Sequence, residues 1–361
     1  MSYSLLVLTR YSRKGASSRV RHYDYLPALQ RAGFEVTVAP FADDDYVDRL
    51  YGGKQLSTIA LIKSYQSRFR QLIGSKRYDL LWIEKEALPW LPAWLERALL
   101  ARCTCVVDYD DAWHLRYARH PRALVRYSLG RKLEDLTARA ALVVVGNSVL
   151  ADWAGSSGAR RIVELPSCVD LDHYSVLPLP EGPFTIGWIG TPITAKYLAL
   201  VAEPIRQLQT NYGARLIAIG VGDDFSLPGV TMQRASWSEE TEATDLARCH
   251  VGIAPVADGA WERGKCGYKL VQYMAAGRAT VASPVGANAS IVVHGQTGLL
   301  AATTKEWIDS LRMLAANPSL SSNFGLNGRR RVEEMYSVQA TSSKLVEALR
   351  EAASSDDRAT S

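Results

Sequence analysis

Residues 261–286 read WERGKCGYKLVQYMAAGRATVASPVG, and in this run basic side chains surround two glycines ahead of a helical segment. At about 100° per residue, the apolar side chains of that segment fall on one side of a helix, and Lys269 and Gln272 fall on the other. Gly277 is typical of a residue that ends a helix. The apolar run ATVAS that follows predicts a buried strand, so the stretch indicates one unit of a parallel α/β sheet.

The same alternation of apolar runs and amphipathic segments extends along both halves of the chain. The apolar runs are SLLVLT, FEVTVA, YDLLWIE, CTCVVDYD, ALVVVGN and RIVELP, then FTIGWIG, ARLIAIG, VTMQRA, VGIAPV and ATVAS. Helices are predicted over residues 17–31, 56–72, 194–209 and 239–248, and over 320–349 with breaks near Gly328 and Ser337. We therefore expect an α/β protein of two Rossmann-like parallel-sheet domains that face each other across a cleft.

Composition along the chain predicts the domain boundaries. Residues 177–183, LPLPEGP, interrupt the pattern with prolines and a glycine and are predicted to form a linker. The linker would separate one domain over residues 1–176 from a second over 184–336. A C-terminal helix over 337–352 is expected to pack back toward the first domain, and the polar residues 353–361 are expected to be a disordered tail.

The overall composition is that of a soluble protein long enough for two domains. The 361 residues are 47% hydrophobic and 22% charged. The start of the chain lacks the pattern of a signal peptide, and no segment approaches the roughly 18 consecutive apolar residues of a membrane span. We expect a cytoplasmic location. The five cysteines are scattered, and the gap between Cys103 and Cys105 is too short for usual zinc spacing, so we expect reduced thiols and no metal.

Positive charge is concentrated in residues 114–132, HLRYARHPRALVRYSLGRK, which we call the basic segment. It contains Arg116, Arg119, Arg122, Arg126, Arg131 and Lys132 and no acidic residue. Basic residues interleaved with aromatic ones can meet an anionic membrane surface, an acidic glycan or a nucleic acid. The alternative is a solvated helix face, because that is what most charge runs are.

Ligands of parallel sheets lie beyond the carboxyl ends of the strands, so the loops that follow strands are the candidate sites. After SLLVLT, Gly15 and Ser17 lie at a helix start, where backbone N–H groups favour an anion, although a serine there can also be a plain helix cap. After FTIGWIG, Gly190 lets the backbone approach a ligand. Lys196 follows in the next helix, as a phosphate contact or as a surface lysine.

The opening stretch is the stronger candidate. Arg263 and Lys265 lie at or just before the positive end of the helix that carries Lys269, a concentration of positive charge suited to a diphosphate. Gln272 offers amide groups suited to sugar hydroxyls. The alternative for the lysines is a basic surface turn.

Acidic residues follow two strands of the first half. In VVDYDDAWH, Asp108, Asp110 and Asp111 come at the end of an apolar strand, and Glu84 and Glu86, after YDLLWI, hold the equivalent place one strand earlier. Acids at a strand end can bind hydroxyls, hold a metal or act as bases. We favour hydroxyl contacts or structural capping over a metal, and Asp110 capping the next helix is an alternative of equal weight.

In order and spacing, these segments resemble the retaining glycosyltransferases of the GT-B fold, family 4. The similar segments are GWIGTP, GKCGYKLVQYMAAG, VASPVGAN and HGQTGLL in the second half, and SRVRHYDYLPALQRAGFEVTV, VDYDDAW, VVGNSVLADW and LPSCVDLDHY in the first. The resemblance implies transfer of a hexosyl group from a nucleotide diphosphate sugar with retained anomeric configuration. The first domain would bind the acceptor and the second the donor, and no cofactor or metal would be needed.

Together, the residues and the resemblance assign three sets of site residues. The catalytic set is Lys269, Lys196, Arg263 and Asp110; the donor-binding set is Gly15, Gly190, Thr191, Lys265, Gly267, Tyr268, Gln272, Glu262 and Asp258; the acceptor-binding set is Asp111, Glu86 and Ser17. Two features depart from the family. Gly264 and Gln272 stand where many members have a Glu-x7-Glu pair, and Thr191 stands where the family has an arginine.

The expected partners are a nucleotide-sugar donor and a glycan or lipid-linked acceptor, in glycan biosynthesis. The basic segment, Arg116 to Lys132, suggests a peripheral position at the inner face of a membrane, and no nucleic acid is expected. Two alternatives share the fold, a nucleotide-sugar epimerase and an inactive glycan-binding or membrane-binding protein. A dehydrogenase is disfavoured, because Gly220 and Gly222 make only a partial dinucleotide-binding motif in the wrong half.

Overall fold

The structure of the protein is a computed structural model that describes residues 2–53, 55 and 57–354. The described residues divide into two compact units, the first made of residues 2–53, 55, 57–167, 264–266 and 341–354 and the second of Cys168–Arg263 and Gly267–Ala340. Residues 355–361 of the predicted polar tail lie outside the described residues, and Ala353 and Ser354 belong to the last helix.

The first unit is built on a parallel sheet that has six strands within the described residues. These are β1 (Tyr3–Leu8), β2 (Phe34–Val38), β3 (Leu80–Glu84), β4 (Cys105–Tyr109), β5 (Leu142–Val145) and β6 (Ile162–Glu164). Their order across the sheet is β2-β1-β3-β4-β5-β6. Strands β1, β3 and β5 read as nearly continuous apolar runs because helices cover both faces of the sheet.

Helices connect these strands. They are α1 (Ala16–Arg21), α2 (Leu26–Arg31), α3 (Asp44–Tyr51), α4 (Thr58–Ile73), α5 (Ala93–Leu99), α6 (His114–Ala118), α7 (Ala123–Leu129), α8 (Lys132–Thr137) and α9 (Ser148–Ser156), with 3₁₀ turns at Tyr23–Tyr25 and Ser75–Arg77. The prediction of one helix over residues 17–31 is wrong. Pro27 has no N–H to continue the helix, so the segment divides into α1, a 3₁₀ turn and α2.

The second unit has a parallel sheet of its own, again with six strands among the described residues. They are β7 (Thr185–Ile189), β8 (Arg215–Ile219), β9 (Gln233–Ala235), β10 (Val251–Ala254), β11 (Ala279–Ala282) and β12 (Gly298–Leu300), in the order β12-β11-β10-β7-β8-β9. The sequence did not predict β12 as a strand. It is three residues long and begins at Gly298, where a side chain would overlap Thr280 of the neighbouring strand.

The helices of the second unit lie between these strands and after them. They are α10 (Pro192–Ala195), α11 (Ala202–Tyr212), α12 (Glu242–Ala247), α13 (Ala260–Arg263), α14 (Tyr268–Ala275), α15 (Asn288–Ile291), α16 (Thr304–Ala316) and α17 (Pro318–Met335), with 3₁₀ turns at Leu171–His173 and Lys196–Val201. The last helix, α18 (Val338–Ser354), enters the first unit at Thr341.

Two helix predictions in the second half need correction. The helix over residues 194–209 is instead α10, a 3₁₀ turn and α11. The break near Gly328 is absent, because α17 runs through this glycine, which lies so close to Met274 that a side chain would meet it at 2.8 Å. The break near Ser337 is confirmed, since α17 ends at Met335 and α18 begins at Val338.

The strand orders locate the crevice of each sheet. Chain order reverses between β1 and β3 in the first sheet and between β7 and β10 in the second. In open parallel sheets, ligands bind beyond the carboxyl ends of the strands at such a reversal. The α/β fold of two parallel-sheet units is confirmed, and the loops after β1, β3, β7 and β10 are the places to look for a site.

Candidate functional site

The loop after β7 is built around Gly190 and Thr191. The Thr191 N–H donates to Thr194 Oγ1 at 3.1 Å, and this hydroxyl donates back to the Thr191 carbonyl at 3.0 Å, which closes the first turn of α10. A side chain on Gly190 would overlap the Lys269 ammonium and would lie 2.6 Å from the Trp188 ring. Glycine is therefore required for the close approach of the backbone to Lys269.

Lys269 reaches this loop from the first turn of α14. Its Nζ donates to the Ile189 carbonyl at the end of β7 and lies 3.4 Å from Thr194 Oγ1. The ammonium also lies 4.3 Å from the centroid of the Trp188 ring, within the range of a cation–π contact. The structure thus brings together the predicted residues Gly190, Thr191 and Lys269.

The start of α14 adds partial positive charge to the unit. Gly267 precedes the helix with a φ of 63°, a left-handed conformation that favours glycine, and a side chain there would lie 2.5 Å from Ile291. The eight-residue helix begins with Tyr268, so its first backbone N–H groups have no partner within the helix. Together with the Lys269 ammonium, these groups favour an anion.

The other predicted basic residues of the second unit are differently placed. Lys196 is exposed and lies 5.2 Å from the centroid of the adjacent Tyr197 ring. Arg263, also exposed, forms an ion pair of 2.6 Å with Asp258, so two of the predicted residues neutralise each other. Glu262 accepts a hydrogen bond from the Tyr197 hydroxyl, so its position is fixed by the turn that Lys196 begins.

Gln272 lies in a buried polar cluster that the sequence did not reveal. Its amide hydrogen-bonds to Tyr174, whose hydroxyl donates to Glu242, and Glu242 accepts a second bond from Trp237 Nε1 at 2.6 Å. Burial, with Tyr268 and Glu242 nearby, raises the pKa of Tyr174. The only signal in the sequence was the acidic run WSEETE, in which Glu242 does not stand out from its neighbours.

In the first unit, Glu84 organises the ends of β1 and β3. It accepts hydrogen bonds from Ser17 at 2.7 Å and from Ser18 at 2.5 Å, and from the Arg10 backbone N–H at 2.7 Å. Gly15 precedes α1, so neither serine caps this helix. Burial alone would raise the pKa of Glu84, but Lys85 at 3.2 Å, His22 and these hydrogen bonds lower it to about 2.

Asp110 and Asp111, after β4, are held by lysines. Asp110 pairs with Lys85 at 2.9 Å and Asp111 with Lys265 at 3.8 Å. Asp110 does not cap α6, because Trp113 is the residue before this helix and no side chain caps it. The structure therefore places Lys265 in the first unit, beside a predicted acceptor residue.

The missing acid at Gly264 has a steric explanation within the first unit. A side chain at this position would lie 2.6 Å from the Ala112 side chain and 2.9 Å from its backbone nitrogen. The Asn147 amide holds the segment by donating to the carbonyls of Gly264 at 2.9 Å and Lys265 at 3.2 Å. A glutamate does not fit at this position.

Glu86 is placed at the end of β3 but is fully buried. Its carboxylate accepts from Tyr117 at 2.8 Å, Lys132 at 2.7 Å and Arg10 at 3.3 Å. Opposing the effect of burial, Lys132 and Arg10 hold the pKa of Glu86 below its usual value. Contact between Glu86 and an acceptor would therefore require these partners to move. Because Lys132 is buried in this ion pair, it does not belong to an exposed basic surface of the basic segment.

The rest of the basic segment is at the surface around α7. Its arginines there are Arg119, Arg122, Arg126 and Arg131. Leu124 and Tyr127, on α7 itself, are 76% and 92% exposed. None of the described helices has the length and hydropathy to cross a membrane.

Comparison with known proteins finds one family model that matches part of the second unit, and a set of solved structures that resemble nearly the whole chain. A family model described as "Glycosyl transferases group 1" matches residues 183–317. No curated protein is significantly similar to the chain in sequence. The matched residues cover β7 to α16, the part of the second unit that contains Gly190, Lys269 and Gln272.

The similar structures cover nearly the whole chain. Sucrose-phosphate synthase from Thermosynechococcus elongatus is 15% identical with a TM-score of 0.70, over 97% of this chain and 98% of that one. HepE from Anabaena, in complex with UDP-glucose, is 14% identical with a TM-score of 0.71, over 97% and 100%. A glycosyltransferase from Rickettsia africae is 12% identical with a TM-score of 0.67, over 97% and 98%. The fold of this chain is therefore the GT-B fold.

Proposed function

We propose that the protein is a retaining glycosyltransferase that transfers a sugar from a nucleotide diphosphate sugar to a glycan or lipid-linked acceptor. The observation that carries this proposal is the contact of Lys269 with the end of β7, inside the segment that matches the group 1 glycosyltransferase model. Since HepE, a similar structure, is described in complex with UDP-glucose, a uridine diphosphate sugar is the first donor to test.

The second unit supplies the chemistry of the leaving group. As the bond between the anomeric carbon and the phosphate oxygen breaks, negative charge develops on the diphosphate. Fixed cations and backbone N–H groups at that place stabilise the transition state. Lys269, the first turn of α14 and the Gly190 backbone have these properties, and with them we propose a reaction that needs no metal.

The acceptor reacts without a nucleophile from the protein. Its hydroxyl oxygen forms the new bond to the anomeric carbon on the face from which the diphosphate departs. Because the hydroxyl attacks that same face, the anomeric configuration is retained, and the hydroxyl proton passes to the departing phosphate oxygen. In the first unit, Asp110 and Asp111 are the partly exposed acids that can orient acceptor hydroxyls.

We place the reaction in the cytoplasm at a membrane surface. Support comes from α7, on which Leu124 and Tyr127 are exposed with Arg122 and Arg126 beside them. Apolar and aromatic side chains enter the interface of a bilayer, and arginines bind its anionic headgroups.

The test of this function is a panel of UDP, GDP, ADP, CDP and dTDP sugars incubated with candidate acceptors. Release of the nucleoside diphosphate that depends on acceptor, with a product of retained configuration by NMR, is the expected result. Release of free nucleotide with an altered free sugar, without acceptor, would indicate the epimerase instead. Donor binding without turnover on any acceptor would indicate an inactive binding protein.

A further inference from the structure

Arg116, on α6, is held between two indole rings of the first unit. Its guanidinium carbon lies 4.5 Å from the centroid of the Trp113 ring and 5.0 Å from that of the Trp90 ring. Among the described residues the guanidinium forms these ring contacts and donates no hydrogen bond, so its N–H donors are available to a ligand. Edge donors in a fixed fork are suited to binding two oxygens of one phosphate or carboxylate.

No carboxylate neutralises this cation among the residues that the structure describes. Arg116 forms cation–π contacts but no ion pair there, and its side chain is half-buried. Burial, followed by repulsion from Arg10, lowers the pKa of Arg116. A half-buried charge without a counterion is unfavourable, so an anion that binds it gains free energy.

Further positive charge lies near Arg116 at Arg10, and Arg10 in turn lies near Arg68. Arg10 lies 5.3 Å from the centroid of the Trp113 ring, on which Arg116 also stacks. Arg68, fully buried, donates to the Thr9 carbonyl at 2.8 Å, and its other nitrogens have no hydrogen-bond partner in the described part of the chain. Burial lowers the pKa of Arg68 to about 9, which still leaves it charged at neutral pH.

Two cations of this cluster, Arg68 and Arg116, form no ion pair among the described residues. The other cations, Arg10, Lys85 and Lys132, are paired with the carboxylates of Glu84, Glu86, Glu96 and Asp110.

The loop that follows β3 contains two residues with a strained backbone. Among described residues other than glycine, positive φ occurs at Lys85, with 64°, and at Trp90, with 60°. Both side chains contact the cluster, since Trp90 stacks on Arg116 and the Lys85 ammonium lies 5.0 Å from the centroid of the Trp113 ring. Such conformations cost stability and persist where the surroundings enforce them, often at binding sites. This loop follows β3, next to the reversal of strand order.

We propose that Arg116, held between Trp90 and Trp113 with Arg10 beside it, binds an anionic group of the acceptor, a phosphate. The phosphate-binding site stands on the geometry of the first unit alone, whereas its assignment to the acceptor rests on the proposed function. The phosphate belongs to a soluble sugar phosphate or to a lipid headgroup, and these two sources can be distinguished.

Calorimetric titration with glucose 6-phosphate and with glucose tests the site in the full chain. The wild type is expected to bind the phosphate and not the neutral sugar. Arg116→Gln should weaken this binding roughly 10- to 100-fold, because it removes a charge-assisted pair of hydrogen bonds. Arg119→Gln, an exposed arginine just after the same helix, is the matched control and should bind as the wild type does.

Lys269→Ala shows which unit binds the phosphate. Unchanged glucose 6-phosphate binding in this variant is expected, and its loss would overturn the proposal because the probe would then occupy the donor site. Arg116→Lys keeps the positive charge but lacks the paired N–H donors of the guanidinium, so it should bind glucose 6-phosphate with intermediate affinity. It replaces Arg116→Gln in the test if that variant does not fold. Equal binding by the wild type and both Arg116 variants would also overturn the proposal.

A second arm uses vesicles of phosphatidylcholine with and without phosphatidic acid. Arg116-dependent binding to the vesicles alone assigns the phosphate to a lipid, and such binding to glucose 6-phosphate alone assigns it to a soluble acceptor. Absence of Arg116-dependent binding in both arms overturns the site. Sugar transfer without Arg116-dependent phosphate binding would support the proposed function and overturn the phosphate site. Phosphate binding without sugar transfer would support the phosphate site and overturn the proposed function.

Discussion

The Lys269 ammonium lies 4.3 Å from the centroid of the Trp188 ring, although the strands β8, β9 and β10 lie between their two elements in the chain. Trp188 is fully buried in β7, so the aromatic face that receives the cation is fixed by the core of the second unit. Lys269 therefore needs little rearrangement to meet a diphosphate at the end of this strand, which is the property that electrostatic catalysis requires.

Lys269→Ala is expected to lower kcat for sugar transfer by roughly 10²- to 10³-fold, the usual effect of removing one preorganised charge-stabilising group. Combined with Lys196→Ala, it should abolish transfer while the fold remains intact. Steady-state kinetics and circular dichroism measure both effects. Lys305→Ala, at an exposed lysine of the same unit, is the control, and near-normal turnover of the double variant would contradict the assignment.

Gly190→Ala should impair donor binding without unfolding the protein. The added methyl would overlap the Lys269 ammonium, which is the flexible end of its side chain, and would press on the Trp188 ring. We expect a loss of stability of about 1–3 kcal/mol from overpacking and a larger loss of donor affinity. Gly155→Ala is the control, because its methyl would make an ordinary contact of 3.7 Å with Ile162.

The sequence predicts the sheets better than the helices and loops. Strands such as Leu142–Val145 are continuous apolar runs, and their pattern alone identifies them. The division of residues 17–31 depends on Pro27, and a glycine is kept at position 328 of the continuous helix α17 where a side chain would meet Met274. Contacts between distant segments are not encoded in local periodicity, so these features could not be predicted.

The sequence could predict a site residue only where the local pattern around that residue reveals its position. Lys269 and Gly190 follow from strand ends and helix starts, which local patterns reveal. The pairing of Arg263 with Asp258, the pairing of Lys265 with Asp111 and the burial of Glu86 arise from tertiary packing. Glu242 was missed because burial, and not its sequence context, distinguishes it from neighbouring acids.

Gln272→Glu is expected to destabilise the protein at neutral pH. It would place a second carboxylate beside Tyr174, which already donates to Glu242, in a buried cluster. The expected cost is roughly 1–3 kcal/mol, as for a buried charge without a partner, and it should shrink at pH 5 as the new acid binds a proton. Thermal unfolding at both pH values measures this, and Gln272→Glu combined with Glu242→Gln should recover stability. A single variant as stable as the wild type at neutral pH would contradict the cluster.

Replacing Leu124 and Tyr127 with serine should weaken binding to vesicles that contain phosphatidylglycerol by tenfold or more, because apolar burial stabilises by roughly 1.5–3 kcal/mol per large side chain. Sedimentation with vesicles measures the bound fraction. Met313→Ser, at a half-exposed apolar residue of α16, should have no effect. Undiminished binding of the double variant would exclude α7 from the membrane contact.

Acid should remove a stabilising contribution of Glu84. Its pKa falls from 4.5 to about 2 in the folded protein, so the contribution is complete above pH 4.5 and is lost as the pH falls toward 2. This shift corresponds to a contribution on the order of 3 kcal/mol. The deficit in melting temperature of Glu84→Gln relative to the wild type should therefore be largest at pH 7 and clearly smaller, though not zero, at pH 3. A constant deficit across this range would be the contrary result.

The most direct test of the donor site is thermal unfolding of the wild type and of Lys269→Ala with a panel of UDP, GDP, ADP, CDP and dTDP sugars. A ligand at about a hundred times its dissociation constant adds roughly 2.7 kcal/mol of stability, which is measurable. The proposal predicts that one base raises the melting temperature of the wild type and of Lys305→Ala, and that Lys269→Ala loses this increase. An equal increase in Lys269→Ala, or no increase with any nucleotide sugar, would contradict a donor site at Lys269.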